Sequence, residues 1–368
     1  MHNNREFNIK LERIRQMLQS ANLDACHIKR QDNFAWLTCG GVNYVGIGEI
    51  GNCSLLITAD RIFAITNNIE SPRMIKEEYL EVLGFEMRIG VWYNESFEDD
   101  TIKDICASGA VGYDYPTAAG RNIMGLIQPL RFSLTAEEVE RYKTGGRIVS
   151  LAVEEIAATI RPGDTENETA GRLAHLIRRN GLEFHSIFCA SDERICQYRH
   201  SILTGKVIRE RVQFGGNMRY KGLIICCTRY INFIPVTDEL REQYKKNVEI
   251  DCIMIHNTVV GNSYQIPFLA GKKAYEDRGY GEEFKKHHQG GPIGYTPRDY
   301  RINFTHKGII AENQAFCWNP SITGTKSEDT FIATKDGPIF ITQPVIFPTI
   351  KVEIDGIEYE RAYILEKY

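Results

Sequence analysis

Apolar residues in the first third of the chain recur at helical spacing and then in runs of strand length. A period of 3.6 residues predicts amphipathic helices, and short apolar runs between turn residues predict strands. Helices that alternate with strands indicate an α/β domain. We predict a helix at 5–19, a strand at 25–28, a helical turn at 33–38, a hairpin of 53–58 with 61–66, and a last strand at 111–114.

A second group of elements begins near residue 134. Thr135 and Glu138 have the spacing of a capping box, which predicts a long helix from there to Ile160. A second amphipathic helix is expected over 167–180. The two predicted domains are therefore 1–133 and 134–368.

A pair of short strands near the C-terminus is predicted to bring two polar groups together. Residues 315–318 are apolar, and Asn319-Pro320 ends the strand because proline has no backbone donor. A glycine-containing turn follows, and residues 331–333 form the returning strand. Pairing of the two strands places Asn319 and Glu328 near the same end.

This stretch, WNPSITGTKSEDT, resembles the closing hairpin of the creatinase, prolidase and methionine aminopeptidase superfamily. That hairpin usually contains a Glu-Pro-Gly strand, a glycine-rich turn and a Glu-Asp pair. The resemblance implies an α+β fold. A creatinase-like N-terminal α/β domain would precede a pita-bread domain, in which helices flank a curved antiparallel sheet. In the metallopeptidases of that superfamily, two glutamates, two aspartates and one histidine hold two metal ions.

Most of these ligand positions differ in this chain. Glu328 matches the second glutamate, whereas Asn319 replaces the first. The segment 212–229 resembles the strand pair that carries the two aspartates, but Gly215 and Cys226 stand in their places. Because a site for two dications needs bridging carboxylates, we expect no two-metal centre and no cofactor.

A mononuclear site is an alternative on ligand type alone. Cys226, His288 and Glu328 would provide a thiolate, an imidazole and a carboxylate for one softer ion. The run Ile224–Cys227 is also explained as a buried strand.

Two adjacent histidines lie in a segment that resembles the superfamily's His-Gly-x-Gly motif. A match without gaps places Gly291 at the ligand position and Arg298 where a substrate-facing histidine often stands. A three-residue gap would instead place His288 there. Since neighbours on an extended strand face opposite ways, we expect only one of His287 and His288 in the pocket and favour His288. A structural histidine is the other interpretation.

His200 is the candidate general acid/base. It matches the histidine that transfers protons in creatinase, and imidazole has the side-chain pKa nearest neutrality. A surface histidine in a loop is the alternative. His288 and Glu328 would assist it as catalytic groups. The candidate substrate-binding residues are Tyr220, Cys226, Arg229, His287, Arg298 and Asn319.

Two arginines and an amide suggest how substrate would be held. Arg229 and Arg298 present the forked geometry that suits an anionic group. Asn319 offers a donor and an acceptor for an amide or carbonyl. Arg229 is equally explained by a structural ion pair.

Composition is that of an ordinary globular protein, with a formal net charge of −4. It gives no reason to expect nucleic acid or a membrane as partner. The polar start and ten scattered cysteines predict a cytoplasmic protein with reduced thiols. Members of the superfamily are usually homodimers, which we expect here by resemblance.

Three functions follow from these observations. The first is a metal-independent, creatinase-like hydrolase of a carbon-nitrogen bond in a small polar metabolite or short peptide, with histidine acid/base catalysis. The second is an inactive pita-bread domain that binds a peptide or protein. The third is an Xaa-Pro peptidase that retains a metal.

Overall fold

The computed structural model describes residues 4–107 and 109–368. The chain divides into two compact units, one ending at Glu137 and the other spanning Glu138–Tyr368. This division lies four residues beyond the predicted boundary. Among the described residues, no helix combines the length and the apolar character needed to cross a membrane.

The first unit is a mixed sheet accompanied by helices, in agreement with the predicted α/β pattern. The order of its strands is β4-β3-β2-β1-β5-β6. Its strands are β1 Ala25–Arg30, β2 Ile50–Thr58, β3 Ile62–Asn67, β4 Glu86–Gly90, β5 Val111–Tyr113 and β6 Arg121–Asn122. Its helices are α1 Asn4–Ala21, α2 Gln31–Leu37, α3 Ser71–Lys76, α4 Phe97–Cys106 and α5 Met124–Ile127, followed by a 3-10 helix at Gln128–Arg131.

The predicted hairpin is confirmed, because β2 and β3 pair antiparallel with Ile57 opposite Ile62. The prediction that residues 111–114 form the last strand is wrong. The two-residue strand β6 follows and pairs parallel to β5. A strand of two polar residues has no apolar period by which it could be predicted.

The second unit carries helices and several sheets whose strand pairs are antiparallel except β18 with β9, which confirms the α+β expectation. Its helices are α6 Ala136–Thr159, α7 Glu166–Arg179, α8 Arg194–Gln197, α9 Asp238–His256 and α10 Gln265–Asp277, with a 3-10 helix at Gly281–Lys286. Its strands are β7 Glu183–Ser191, β8 Arg211–Tyr220, β9 Leu223–Asn232, β10 Gly290–Pro292, β11 Gln314–Trp318, β12 Ser321–Ile322, β13 Thr325–Lys326, β14 Phe331–Thr334, β15 Gly337–Phe340, β16 Thr349–Ile354, β17 Ile357–Ala362 and β18 Leu365–Glu366.

Two four-stranded sheets position the site. One has the order β18-β9-β8-β7 and the other β10-β11-β14-β15. Strand β9 is buried along its whole length, which explains its continuous apolar run. A bridge between Cys227 and Asp329 connects β9 to the segment that precedes β14.

The C-terminal hairpin forms as predicted. Strands β11 and β14 pair antiparallel, with Phe316 opposite Phe331. The intervening residues form a small ribbon of their own, β12 with β13. Aromatic stacking of Phe316 on both Trp318 and Phe331 fills the core beneath.

Candidate active site

Gly215 and Cys226 occupy the two strand positions that carry aspartates in the metallopeptidases of the superfamily. At Gly215 there is also no space for a side chain. Gly215 on β8 lies opposite Thr228 with φ +151°. A Cβ at this position would lie 2.1 Å from the carbonyl oxygen of Cys227. The backbone at Gly215 therefore excludes an aspartate, whereas Cys226 presents a fully buried thiol.

Buried ion pairs fix the segment that carries Glu328. The neighbouring Asp329 lies 3.0 Å from Arg229 Nη1 and 3.2 Å from Arg361 Nη2. Arg229 Nε also lies 2.9 Å from Glu154 Oε1, and the arginine side chain is 1% exposed. Arg229 thus links β9 to Glu154 of α6 and to Asp329. We assign it a structural role, and not the substrate contact that the sequence also suggested.

Glu328 lies between two cations. Its Oε2 is 2.5 Å from Lys326 Nζ and accepts the hydroxyl of Thr228 at 2.6 Å. Its Oε1 is 3.6 Å from Arg298 Nη2. Burial raises the pKa of Glu328, but Lys326 and Arg298 outweigh this effect and lower it to about 2. Glu328 is therefore an ionised counterion, not a poised base.

Arg298 also faces two thiols. Its Nη1 and Nη2 lie 4.0 Å from Cys226 Sγ and 3.9 Å from Cys317 Sγ. A hydrogen bond from Cys317, together with the charge of Arg298, lowers the pKa of Cys226 despite its burial. Burial, and then Cys226 itself, raise the pKa of Cys317. Arg298 therefore holds together the sulfur and carboxylate groups of this region.

This donor set does not fit the two-metal centre that the resemblance implies. Of its carboxylates only Glu328 remains, and both of its oxygens face cations of the chain itself. At the gapless histidine position, a Cβ on Gly291 would lie 2.9 Å from the carbonyl oxygen of Tyr300. Two dications beside Lys326 and Arg298 would add like charges to a buried region with one carboxylate to offset them.

Three histidines gather beside this region. His287 Nε2 lies 3.2 Å from His200 Nε2, and its Nδ1 lies 3.1 Å from Ser321 Oγ. The ring of His288 lies 4.6 Å from that of His287 and 5.7 Å from that of His200, between centroids. One ligand nitrogen from each of the three lies within 4.8 Å of the others.

Both adjacent histidines thus adjoin His200, contrary to the expectation that only one would enter. His287 has an extended backbone, but both histidines precede β10, which begins at Gly290, so no regular strand imposes opposite faces on them. The backbone N–H of Gly290 donates to His288 Nδ1 at 3.2 Å, which engages one ring nitrogen of His288.

The histidines are neutral in this environment. Burial, then the charge of Lys326, lowers the pKa of His287 to about 2. Burial, then Arg298, lowers the pKa of His288 to about 3. The same burial and Lys326 lower the pKa of His200, while Glu328 partly opposes them. All three rings therefore retain nitrogen lone pairs near neutral pH.

Two further predicted residues have different surroundings. Asn319 is 3% exposed, and its Oδ1 has no hydrogen-bond partner among the described residues. A buried acceptor without a partner is costly unless a ligand or water satisfies it, which supports a binding role for Asn319. Tyr220 lies at the β8–β9 turn, where it packs over Gly145 of α6.

Lys326 and Ser321 were missed by sequence reasoning. Lys326 stands two residues before Glu328, so an extended backbone directs both side chains to the same face. Ser321 has the same spacing from Asn319. These spacings were the available signal, but a lysine or serine in a turn is usually a solvated residue.

Comparison with known proteins supports the resemblance. An Xaa-Pro dipeptidase of Pyrococcus horikoshii is 20% identical over 359 residues, which cover 91% of this chain and 97% of that protein. The structure of an Xaa-Pro dipeptidase from Bacillus anthracis has a TM-score of 0.75 at 23% identity, over 91% of this chain and 97% of that one.

The fold is also shared with a protein of another description. The N-terminal domain of FACT complex subunit SPT16 from chickpea has a TM-score of 0.73 at 13% identity, over 93% of this chain and 97% of that domain. The family model of Metallopeptidase family M24 matches residues 140–355, which is more than half of the chain. The chain therefore belongs to metallopeptidase family M24.

Proposed function

We propose that this chain is a hydrolase of a carbon-nitrogen bond in a short peptide or small anionic metabolite, and that it works without the two-metal centre of its family. The observation that carries the proposal is the position of neutral His200 beside His287, next to a carboxylate that two internal cations already neutralise. Imidazole is then the group that can exchange a proton near neutral pH.

The chemistry requires one proton to move twice. Nδ1 of His200, the ring nitrogen that does not face His287, takes a proton from water as the water oxygen attacks the carbonyl carbon. Lys326 and Arg298 offset the negative charge that develops on the carbonyl oxygen, the role that metal ions have in metalloenzymes. The imidazolium then returns the proton to the leaving nitrogen, the carbon-nitrogen bond breaks, and His200 is neutral again.

The charge balance favours an anionic substrate. Lys326 and Arg298 face the single carboxylate of Glu328, which leaves one positive charge in excess. Arg301 adds a further positive charge that acts on His200 and His288. The free amide oxygen of Asn319 would accept a hydrogen bond from a substrate N–H. Since relatives are described as Xaa-Pro dipeptidases, Xaa-Pro dipeptides are the first substrates to test.

The test uses chelator-treated protein and a panel of Xaa-Pro dipeptides, amides and guanidino acids. We expect turnover that survives chelation and falls about 100-fold or more in His200→Ala. His175→Ala is the matched control, because His175 is exposed on α7. Turnover that disappears on chelation and returns with two equivalents of metal would instead support the metal-retaining peptidase.

A binding module is the second candidate. The observation that favours it is that both oxygens of Glu328 already pair with Lys326 and Arg298, so this carboxylate is not free to act as a base or to hold a metal ion. In that case the same panel would give no turnover, and a peptide or protein would bind equally well to the wild type and to His200→Ala.

A further inference from the structure

The imidazoles of His200, His287 and His288 lie close enough together to bind one metal ion, and this group contains none of the family's carboxylate ligands. The Nε2 atoms of His200 and His287 lie 3.2 Å apart. Two nitrogens on one tetrahedral zinc ion lie about 3.3 to 3.4 Å apart, as follows from Zn–N distances of about 2.0–2.1 Å. The two rings therefore already stand at the spacing of one edge of a zinc coordination tetrahedron.

The surroundings of His287 add a second feature of metal sites. Histidine ligands generally donate their other ring N–H to an oxygen, which fixes the tautomer that leaves the ligating nitrogen free. His287 Nδ1 lies 3.1 Å from Ser321 Oγ, and Ser321 is itself buried. Ser321 is thus placed to orient His287 with its Nε2 lone pair toward His200.

We propose that His200, His287 and His288 bind one divalent transition-metal ion, with Zn²⁺ the best match to three imidazoles. His200 and His287 are the principal ligands. His288 is the third and weaker ligand, because its Nδ1 lone pair accepts the N–H of Gly290 and would have to give up that hydrogen bond to bind the ion. Three protein ligands leave the fourth coordination position open to water.

The neighbouring charges set the strength of the site. Lys326, Arg298 and Arg301 repel a cation, and Glu328 offsets one of them. We therefore expect binding that is weaker than in structural zinc sites, and binding that tightens several-fold in Lys326→Met because one positive charge is removed.

The bound ion would also affect the proposed hydrolysis, and this part of the inference rests on the proposed function. A metal on Nε2 of His200 shifts the ring proton to Nδ1, and Nδ1 can then no longer accept the proton from water. Zn²⁺ is therefore expected to inhibit the hydrolysis that chelated protein performs, whereas metals activate the dinuclear enzymes.

The experiment measures metal first and turnover second. Chelated full-length protein is titrated with Zn²⁺ under equilibrium dialysis, and with Co²⁺ for its visible absorption. We expect one equivalent bound and the intense bands of tetrahedral Co²⁺. Loss of an outer partner of a zinc ligand costs roughly 10–100-fold in affinity. On that scale we expect about tenfold for Ser321→Ala and at least about 100-fold for His200→Ala and His287→Ala.

Control variants locate the ion. Cys226→Ser should retain the ion with unchanged affinity, and Glu328→Gln should retain it with an affinity lowered several-fold because a negative charge is lost. His175→Ala should not change binding, and each variant's fold is checked by circular dichroism. Binding that is lost in Cys226→Ser and Glu328→Gln but kept in His200→Ala would place the ion at the family's position and overturn the inference, as would no bound metal. If Zn²⁺ binds as expected but raises turnover, the site stands and the metal-independent function falls.

Discussion

Lys326 Nζ lies 2.5 Å from Glu328 Oε2, and both side chains are more than nine-tenths buried. Thr228 and Arg298 complete the surroundings of the same carboxylate. In a buried ion pair, each charge depends on its partner, because neither can be solvated by water. This arrangement surrounds the carboxylate of Glu328 with cations of the chain itself, and it leads to the following predictions.

Glu328→Gln should destabilise the protein by roughly 3–5 kcal/mol, because it leaves Lys326 and Arg298 buried without their counterion. Urea unfolding measures the change in the free energy of unfolding. The double variant Glu328→Gln/Lys326→Met should recover part of the loss, since one stranded cation is removed with its partner. A double variant no more stable than Glu328→Gln would show that Lys326 and Glu328 do not depend on each other.

Stability should fall in acid through the titration of Glu328. Its folded pKa is lowered from the ordinary 4.5 to about 2, so the carboxylate stabilises the fold above pH 4.5, and this contribution is lost as the pH falls toward 2. The contribution is of order 3 kcal/mol. Urea midpoints between pH 5 and pH 2.5 should fall less steeply in Glu328→Gln than in the wild type, and parallel curves would contradict the assignment.

In the pH profile of kcat/KM, the midpoint of the acid limb should lie below pH 6.5, the ordinary pKa of histidine. Burial, with Lys326, Arg298 and Arg301, lowers the pKa of His200, and Glu328 raises it. His200 must be neutral to accept a proton, so kcat/KM should stay high at pH values where an ordinary histidine is charged.

Lys326→Met should then move that acid limb to higher pH, because the charge that opposes protonation of His200 is gone. Lys285→Met is the control, since Lys285 is exposed on the 3-10 helix and pairs with Glu282. If the acid limb of kcat/KM lies at the same pH in the wild type, in Lys326→Met and in Lys285→Met, His200 is not the base of the proposed mechanism.

Gly215→Ala should lower the free energy of unfolding by about 3 kcal/mol or more. A large distortion of the backbone costs about 4 kcal/mol. The new Cβ would meet the Cys227 carbonyl oxygen at 2.1 Å, and β8 and β9 would have to separate. Thermal unfolding measures the effect.

Gly171→Ala is the matched control for this substitution. Gly171 lies in α7, and a Cβ there would meet no atom within 4 Å. Alanine in an exposed helix should stabilise by up to about 1 kcal/mol. Equal stability of the two variants would mean that the strand spacing at Gly215 is not as tight as described.

Much of the fold was predictable because its elements have strong periods. Helix α1 and the hairpin of β2 with β3 formed within a few residues of the predicted bounds. The buried strand β9 carries a continuous apolar run, and Pro320 follows the end of β11 as expected. The short β6 and the ribbon of β12 with β13 were missed, because two residues carry no periodic signal.

The site was predictable in its members but not in its interactions. The resemblance pointed to Glu328, His200 and His288, which lie in one region. It did not show that Lys326 would neutralise Glu328, since a charge pair is decided by tertiary distance. Nor did it show that Arg229 forms ion pairs with Glu154 and Asp329, although a structural ion pair was one of the two interpretations of Arg229 from sequence.

The close approach of β8 and β9 at Gly215 limits how this protein can change. Replacing a single codon at that position would bring a carboxylate into collision with the neighbouring main chain before it could reach any ion. An engineered route back to a dinuclear peptidase would have to re-space the two strands first. Libraries that vary side chains without changing the spacing of β8 and β9 are therefore expected to contain no dinuclear peptidase.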